Sequence, residues 1–199
     1  MAAFTDKKFL LFFVLLSALA LTACAGSLSP AEDSLPASPG ETLPVDGVTA
    51  EAAYKFTLPS GLNSTVSLET YAGRENVVLV FYRGYWLIHC REALVESRKD
   101  YQTIRGLDAE ILAVNNDQLS GAERAIDHLD LGFPVLFDPE AVVIERFGVY
   151  DTLNNGYATP SVFVIDKNGN IRWEYVGCHY NDRPTNQQVI AQLEALQVE

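Results

Sequence analysis

Three runs of apolar, largely β-branched residues constrain the fold of this chain more than any other feature. They read "NVVLVFY" (76–82), "AEILAV" (109–114) and "SVFVID" (161–166). Each run is apolar at nearly every position, whereas a strand with one solvated face alternates apolar and polar residues. The runs therefore predict interior strands of a parallel or mixed sheet that is covered by helices on both faces.

The segments between these runs have the apolar spacing of helices. One helix is predicted over residues 89–107, with five side chains on one face: Cys90, Leu94, Ser97, Tyr101 and Ile104. Two others begin at capping-box patterns, and a short helix is predicted over residues 140–147. The capping boxes are Ser120 with Glu123 and Thr185 with Gln188. Their inward residues are predicted to be Ala122, Ile126, Leu129, Val189, Leu193 and Leu196.

Two hairpins and a short strand complete the predicted sheet. "DKNGN" (166–170) is an Asn-Gly turn that joins the third apolar run to "IRWEYV" (171–176). "YKFTL" (54–58) and "TVSLETY" (65–71) predict an N-terminal hairpin, and "FPVLF" (133–137) predicts the short strand. Strand–helix–strand units give parallel pairs and the closing hairpin gives an antiparallel pair, so the sheet is mixed. The predicted fold class is α/β.

The N-terminus has the pattern of an export signal. Lys7 and Lys8 precede 13 uncharged residues (9–21), fewer than the roughly 20 that span a bilayer. "LTAC" (21–24) then resembles the bacterial lipoprotein signal, in which the peptide is cut before a cysteine that takes a diacylglyceryl group. We expect a signal peptide at residues 1–23 and a lipidated Cys24, which anchors the protein outside the cytoplasm on a bacterial membrane. The alternative is an ordinary signal peptide that is cleaved nearby.

Composition separates a tether from a folded domain. Residues 25–50 contain four Pro, four Ser, three Gly and four acidic residues, with no Lys or Arg. Such a segment cannot bury a core, so residues 24–50 are expected to form a flexible linker and residues 51–199 the folded domain. The net charge of −12 and the lack of a Lys/Arg cluster argue against a nucleic-acid partner.

The stretch "YRGYWLIHC" (82–90) places a cysteine directly after the first apolar run, where a helix is predicted to begin. The positive end of the helix dipole and the nearby Arg83, His89 and Arg91 all favour the thiolate form of Cys90. A peroxide can oxidise such a thiolate to a sulfenic acid, which another thiol resolves. The alternative is a buried cysteine that packs as a small apolar side chain.

"VVLVFYRGYW" (77–86) before this cysteine and "ATPSVFVIDKNGNIRW" (158–173) resemble proteins of the thioredoxin fold. They are most similar to the alkyl hydroperoxide reductase/thiol-specific antioxidant family of peroxiredoxin-like redoxins. The resemblance covers residues 54–196 and implies a thioredoxin-like fold that reduces peroxides or disulfides through Cys90.

The chain departs from the motifs of that family. Redoxins read Trp-Cys-Pro-x-Cys, and this chain keeps Trp86 and Cys90 but has Leu87 in place of the first cysteine. Peroxiredoxins have Pro and Thr where this chain has Arg83 and Leu87, and a peroxide-activating Arg where it has Pro160. Dithiol exchange within the motif is therefore excluded, and a rate below that of a dedicated peroxidase is expected.

The same resemblance implies that two distant segments lie near Cys90. Pro160 matches the cis-proline beside the active cysteine of thioredoxins, so a cis Thr159–Pro160 bond that faces Cys90 is expected. Gly177 matches a glycine that borders the active-site surface of the fold, which implies that the next residue, Cys178, is also close. Cys178 would then resolve oxidised Cys90 or form a standing disulfide with it, since an exported protein permits both.

These patterns predict a membrane-anchored, extracytoplasmic thiol oxidoreductase. Its expected partners are a peroxide or disulfide substrate, an external thiol reductant and the membrane; no cofactor is expected. His89, His179 and the two cysteines are zinc or copper ligands by type, but their spacing does not favour a metal site. The alternative function is a non-catalytic binding module of the same shape with a decayed active site.

Overall fold

A computed structural model of the chain describes residues 56–198. The strands are β1 (Thr57–Ser60), β2 (Ser64–Ser67), β3 (Asn76–Phe81), β4 (Ala109–Asn115), β5 (Val135–Phe137), β6 (Ser161–Ile165) and β7 (Ile171–Val176). The helices are α1 (Ile88–Gly106), α2 (Leu119–Leu129), α3 (Val142–Arg146) and α4 (Asn186–Leu196), and a 3-10 turn covers Leu68–Tyr71. The predicted order of elements is confirmed, including the N-terminal hairpin. The expected signal peptide, Cys24 and the linker lie outside the described residues. Within residues 56–198, no helix combines the length and the apolar character that crossing a bilayer requires.

The seven strands form one mixed sheet in the order β2-β1-β5-β4-β3-β6-β7. β3, β4 and β5 are parallel, whereas β6 runs antiparallel to β3 and β7 antiparallel to β6. Phe81, at the end of β3, is paired with Ser161 at the start of β6, and Ser161 is paired with Val176 at the end of β7. The residues that follow β3, precede β6 and follow β7 therefore meet at one edge of the sheet.

Side chains of β3 alternate between two cores, as the period of a strand requires. Val77, Leu79 and Phe81 pack against the face that α3 covers. Val78 and Val80 pack against the opposite face, beneath α1, α2 and α4. Burial of each of these side chains contributes about 1.5–3 kcal/mol to folding. The two-sided burial explains why the sequence of β3 is apolar throughout.

The ends of two helices test the capping predictions. Thr185 accepts a hydrogen bond from the Gln188 N–H and the full capping box is present, so that prediction is confirmed. The capping box at Ser120 is wrong, because α2 begins at Leu119 with Gln118 as the N-cap residue. The Asn115 side chain accepts from the Asp117 N–H at 3.0 Å, which turns the chain tightly after β4 and starts the helix early.

Candidate active site

Cys90 lies in the first turn of α1, and its side chain is completely buried (0% exposed). Its N–H donates to the carbonyl of Leu87 at 3.1 Å. Leu87 is the N-cap residue, and it makes no side-chain capping bond. The positive end of the helix dipole therefore acts on Cys90 without a side-chain acceptor at the cap position to offset it.

A cavity of about 500 Å³ opens beside the buried cysteine, between α1, β6 and the segment before α4. Its apolar floor includes Val78, Val80 and Val162, and its polar lining includes Asp100 and Arg183. This volume is in the range of cavities that bind small molecules. Cys90 borders this cavity, but its side chain has no exposed surface, so a reactant in the cavity reaches the sulfur only after a local movement.

Tyr82, the first residue after β3, lines the same cavity. Its buried hydroxyl oxygen accepts a hydrogen bond from the Asn115 side-chain amide at 2.7 Å. Burial raises the pKa of Tyr82 strongly, and the nearby charges of Cys90 and Asp117 raise that pKa further. Tyr82 is therefore a neutral hydroxyl beside Cys90, and its own hydrogen is not used in the bond with Asn115. The apolar run 76–82 includes Tyr82 and predicted a strand, and no pattern in the sequence indicated a role for its hydroxyl.

The two arginines predicted to favour the Cys90 thiolate both contact aromatic rings. The guanidinium carbon of Arg83 lies 5.5 Å from the ring centroid of Trp86 and 5.6 Å from that of Tyr157. Arg91 lies over the ring of Tyr85, with its guanidinium carbon 5.3 Å from the centroid, and donates to the Tyr85 carbonyl at 3.0 Å. Neither arginine is among the residues that line the cavity. These contacts order the loop ahead of α1.

Arg183 is the cation that does line the cavity, and sequence reasoning missed it. It donates to the carbonyl of His89 at 2.6 Å and to that of Tyr180 at 3.1 Å. The His89 ring also packs against Tyr180, with centroids 5.7 Å apart. These contacts hold the segment before α4 against the first turn of α1. No local pattern indicated this contact, which joins residues 94 positions apart.

Pro160 and Cys90 both line the cavity, and a Pro160 loop that faces Cys90 stays a prediction. The predicted cis bond before Pro160 is wrong, since the described residues contain no cis peptide bond. The trans form is the default for such bonds. The Pro160 carbonyl accepts a hydrogen bond from the Gly177 N–H at 2.9 Å, and this bond extends the pairing of β6 with β7 by one residue. Gly177 is therefore at the same edge of the sheet as Pro160.

Cys178 follows Gly177 at this edge but differs from Cys90 in exposure. Cys178 is exposed, Cys90 is buried, and no disulfide joins them in the structure. The Cys178 N–H donates to a carboxylate oxygen of Asp182 at 2.8 Å. Its loop contacts α1 through Tyr180, as described above, whereas Cys178 is not among the residues that line the cavity. A separation short enough for Cys90 and Cys178 to pair remains a prediction.

Comparisons with known proteins identify the group to which this chain is related. The model of the AhpC/TSA family matches residues 49–174, which include Cys90 and Pro160. The chain belongs to the AhpC/TSA family. Cys178 and Arg183 lie beyond the part of this AhpC/TSA protein that the family model matches.

Individual relatives of this AhpC/TSA protein include peroxiredoxins. The chloroplast peroxiredoxin Q of Oryza sativa subsp. japonica is 28% identical over 149 residues, which are 74% of this chain and 68% of the rice protein. Alkyl hydroperoxide reductase E of Mycobacterium tuberculosis is 28% identical over 120 residues, which are 59% of this chain and 78% of that protein. Oxidoreductases of the antioxidant type are therefore the relatives of this chain.

Solved structures confirm the predicted thioredoxin-like fold. A point mutant of Xylella fastidiosa PrxQ superimposes with a TM-score of 0.67 at 17% identity, covering 79% of this chain and 99% of that one. Enterococcus faecalis AhpC superimposes with a TM-score of 0.65 at 23% identity, covering 72% of this chain and 88% of that one. At these identities the structures support the fold alone.

Proposed function

We propose that this protein is a thiol peroxidase of the peroxiredoxin type, in which Cys90 is the residue that peroxide oxidises. One observation carries the proposal: Cys90 is held in the first turn of α1, beside a cavity that Arg183 and Tyr82 also line. The three groups supply a nucleophile, a cation and a neutral hydroxyl donor around one space.

The chemistry requires one sulfur for the peroxide step. The Cys90 thiolate attacks one oxygen of the peroxide, the O–O bond breaks, and an S–O bond forms. The sulfur loses two electrons and becomes a sulfenic acid, while the other oxygen takes up a proton and leaves as an alcohol or water. A thiol then attacks the sulfenic sulfur to give a disulfide and water. If that thiol is Cys178, two external thiols reduce the disulfide in turn through a mixed disulfide, and they leave as the oxidised external disulfide.

The first turn of α1 supplies electrostatic support for the attacking sulfur. The helix dipole stabilises a negative charge at this position by about 0.3–1 kcal/mol, and more in a partly buried site. Arg183 adds a fixed positive charge at the cavity, because its guanidinium is oriented by the carbonyls of His89 and Tyr180. We propose that Arg183 replaces in part the peroxide-activating arginine, whose position Pro160 occupies.

The hydroxyl of Tyr82 is the group that donates to the developing oxygen charge. Its raised pKa keeps the hydrogen on the oxygen throughout the pH range in which a thiol reacts. Asn115 fixes that oxygen from the other side. A donor that is already oriented needs no reorganisation when the O–O bond breaks.

Cys178 is the proposed resolving cysteine. Its loop contacts the start of α1 through Arg183 and Tyr180. The missing side-chain cap at Leu87 lowers the cost of unwinding this first turn, because a capping residue contributes about 1 kcal/mol. Unwinding would expose the buried Cys90 sulfur to attack by Cys178. An external thiol performs the same step if Cys178 is absent.

Mass spectrometry of peroxide-treated protein tests the proposal. A slight excess of hydrogen peroxide should convert the reduced protein to a Cys90–Cys178 disulfide, which a thiol reverses. In Cys178→Ser, a sulfenic-acid trap should label Cys90, and in Cys90→Ser no disulfide should form and label should be lost from the peptide that contains position 90. If Cys90 remains a thiol under excess peroxide, the peroxidase proposal is wrong and the non-catalytic binding module takes its place.

We further propose that the protein is exported and anchored to a bacterial membrane through Cys24. The export-type apolar run and "LTAC" support this location. Cells fed a fatty-acid probe should label the wild type but not Cys24→Ala. Equal labelling of the two would exclude the lipid anchor.

A further inference from the structure

Three chemically different ligand groups converge on the exposed loop that follows β7. The Sγ of Cys178, a ring nitrogen of His179 and a carboxylate oxygen of Asp182 all lie within 4.8 Å of one another. Among residues 56–198, they form the one group of three or more metal-ligating side chains at such distances. His89 and Cys90, which are also zinc or copper ligands by type, do not belong to this group.

Hydrogen bonds around Asp182 hold the loop in shape. The Asp182 N–H donates to the His179 carbonyl at 3.1 Å, which closes the turn. One carboxylate oxygen of Asp182 accepts from the Tyr175 hydroxyl at 2.6 Å, and the other accepts from the Cys178 N–H at 2.8 Å. A carboxylate oxygen has a further lone pair after one such bond. Asp182 is therefore oriented by its neighbours and can still coordinate a cation.

The overall charge of the protein favours a cation. The protein carries a net charge of −12, so its field attracts positive ions. The nearest arginine in sequence, Arg183, directs its guanidinium to the carbonyls of His89 and Tyr180. Exposed Cys178 and His179 can reach the 2.0–2.3 Å distances of zinc coordination by rotation of their side chains, because no core packing fixes them.

We propose that Cys178, His179 and Asp182 form a zinc site with three protein ligands and a fourth position open to solvent. Thiolate, imidazole and carboxylate together suit zinc, whereas magnesium and calcium prefer oxygen ligands alone. Tyr175 acts as the outer partner that orients the carboxylate, in the manner of hydrogen-bonded ligands in metal sites. Binding releases the thiol proton of Cys178. If Cys178 also resolves Cys90, bound zinc holds its sulfur and slows that step.

Cobalt titration of the reduced, purified protein tests the site without reference to peroxide activity. One Co²⁺ per chain should bind, with a sulfur-to-cobalt charge-transfer band and the strong visible bands of tetrahedral cobalt, and Zn²⁺ should displace it. Cys178→Ser should lose the charge-transfer band. Tyr175→Phe should weaken binding by about 10- to 100-fold, the usual effect of removing an outer partner.

Two controls keep the test specific. His128→Ala removes an exposed histidine whose ring nitrogen bonds to the Tyr85 hydroxyl, and it should bind cobalt like the wild type. Cys90→Ser should also bind normally, so a failure of the peroxidase proposal leaves this result unaffected. The zinc site is excluded if the wild type shows no charge-transfer band, if the band survives in Cys178→Ser, or if it disappears in Cys90→Ser. Circular dichroism confirms that each variant is folded.

Discussion

Replacing Gly177 with alanine should separate the two cysteines functionally and destabilise the domain. A Cβ at this position would lie 2.3 Å from the carbonyl oxygen of Asp182 and 2.9 Å from that of Pro160, whereas ordinary contact begins at 3.4 Å. Both neighbours are backbone atoms, so no side chain can rotate away. The loop after β7 must therefore move by roughly 1 Å relative to Pro160.

The loss of stability has two contributions, a steric cost and a lost hydrogen bond. Overpacking of this kind costs about 1–3 kcal/mol. Loss of the 2.9 Å hydrogen bond from the Gly177 N–H to the Pro160 carbonyl adds about 1 kcal/mol. We expect Gly177→Ala to lower the free energy of unfolding by about 2–4 kcal/mol. Each kcal/mol corresponds to a decrease of about 2–4 °C in Tm for larger domains and more for smaller ones.

Urea and thermal unfolding measure the cost, and Gly106→Ala is the matched control. Gly106 ends α1 with nothing within 4 Å of its Cβ position, so alanine there should be neutral or stabilising by up to about 1 kcal/mol. Peroxide should still oxidise Cys90 in Gly177→Ala, while the yield of the Cys90–Cys178 disulfide falls. Equal stability of Gly177→Ala, Gly106→Ala and the wild type would refute the steric reasoning.

Two other predictions concern the start and the end of α1. Leu87→Thr places a side-chain acceptor at the cap position beside Cys90, where it offsets the positive end of the helix dipole; that dipole contributes about 0.3–1 kcal/mol, so peroxide should oxidise Cys90 roughly two- to fivefold more slowly. Leu87→Val, which lacks the hydroxyl, should show no such loss in stopped-flow oxidation, and an equal loss would contradict the capping argument. At the other end, Arg105 donates to both carboxylate oxygens of Glu75, at 2.9 and 3.1 Å, and this hydrogen bonding lowers the pKa of Glu75. The stabilisation is present above the unfolded-state pKa of Glu75 and is lost as pH falls through the lowered folded-state pKa. In urea unfolding, Glu75→Gln should therefore lower the free energy of unfolding by roughly 0.5–1 kcal/mol at neutral pH and leave it unchanged in strong acid. The control Glu69→Gln, at an exposed position, should not change the free energy of unfolding at any pH. A loss in Glu75→Gln that is the same at all pH values would exclude the ion pair as its cause.

The sheet was predictable because the residue composition of each strand reflects which of its faces are buried. β3 is buried on both faces, so nearly every residue of it is apolar, and the pattern was visible without a partner strand. The capping box at Thr185 was also predictable, since both of its bonds join residues three apart. At Ser120 the same local pattern failed, because the N-cap residue is Gln118, two residues earlier, after the tight turn that follows β4.

The candidate site was only half predictable, for reasons of distance along the chain. Cys90 was visible because strand, loop and helix start follow one another in the sequence. Arg183 was not, because its contact with His89 depends on how α4 packs against α1. Asp182 gave a weak signal in the spacing Cys-His-x-x-Asp, which a search for ligands at short spacing would have found. The geometry at Pro160 was predicted wrongly because it was inferred from the resemblance to thioredoxins.

The antiparallel pairing of β1 with β5 determines where the chain enters the domain. Ser60, the last residue of β1, is paired with Leu136, which is paired with Val114, and Val114 is paired with Phe81. The first residue of β1 therefore lies beyond the end of β3, at the edge of the sheet from which the loop to Cys90 departs. The chain therefore enters the domain at the same edge as the loop to Cys90. With the proposed anchor at Cys24 and the flexible linker expected after it, the anchor would limit how far this edge can move from the membrane, but it would not fix the direction in which the edge faces.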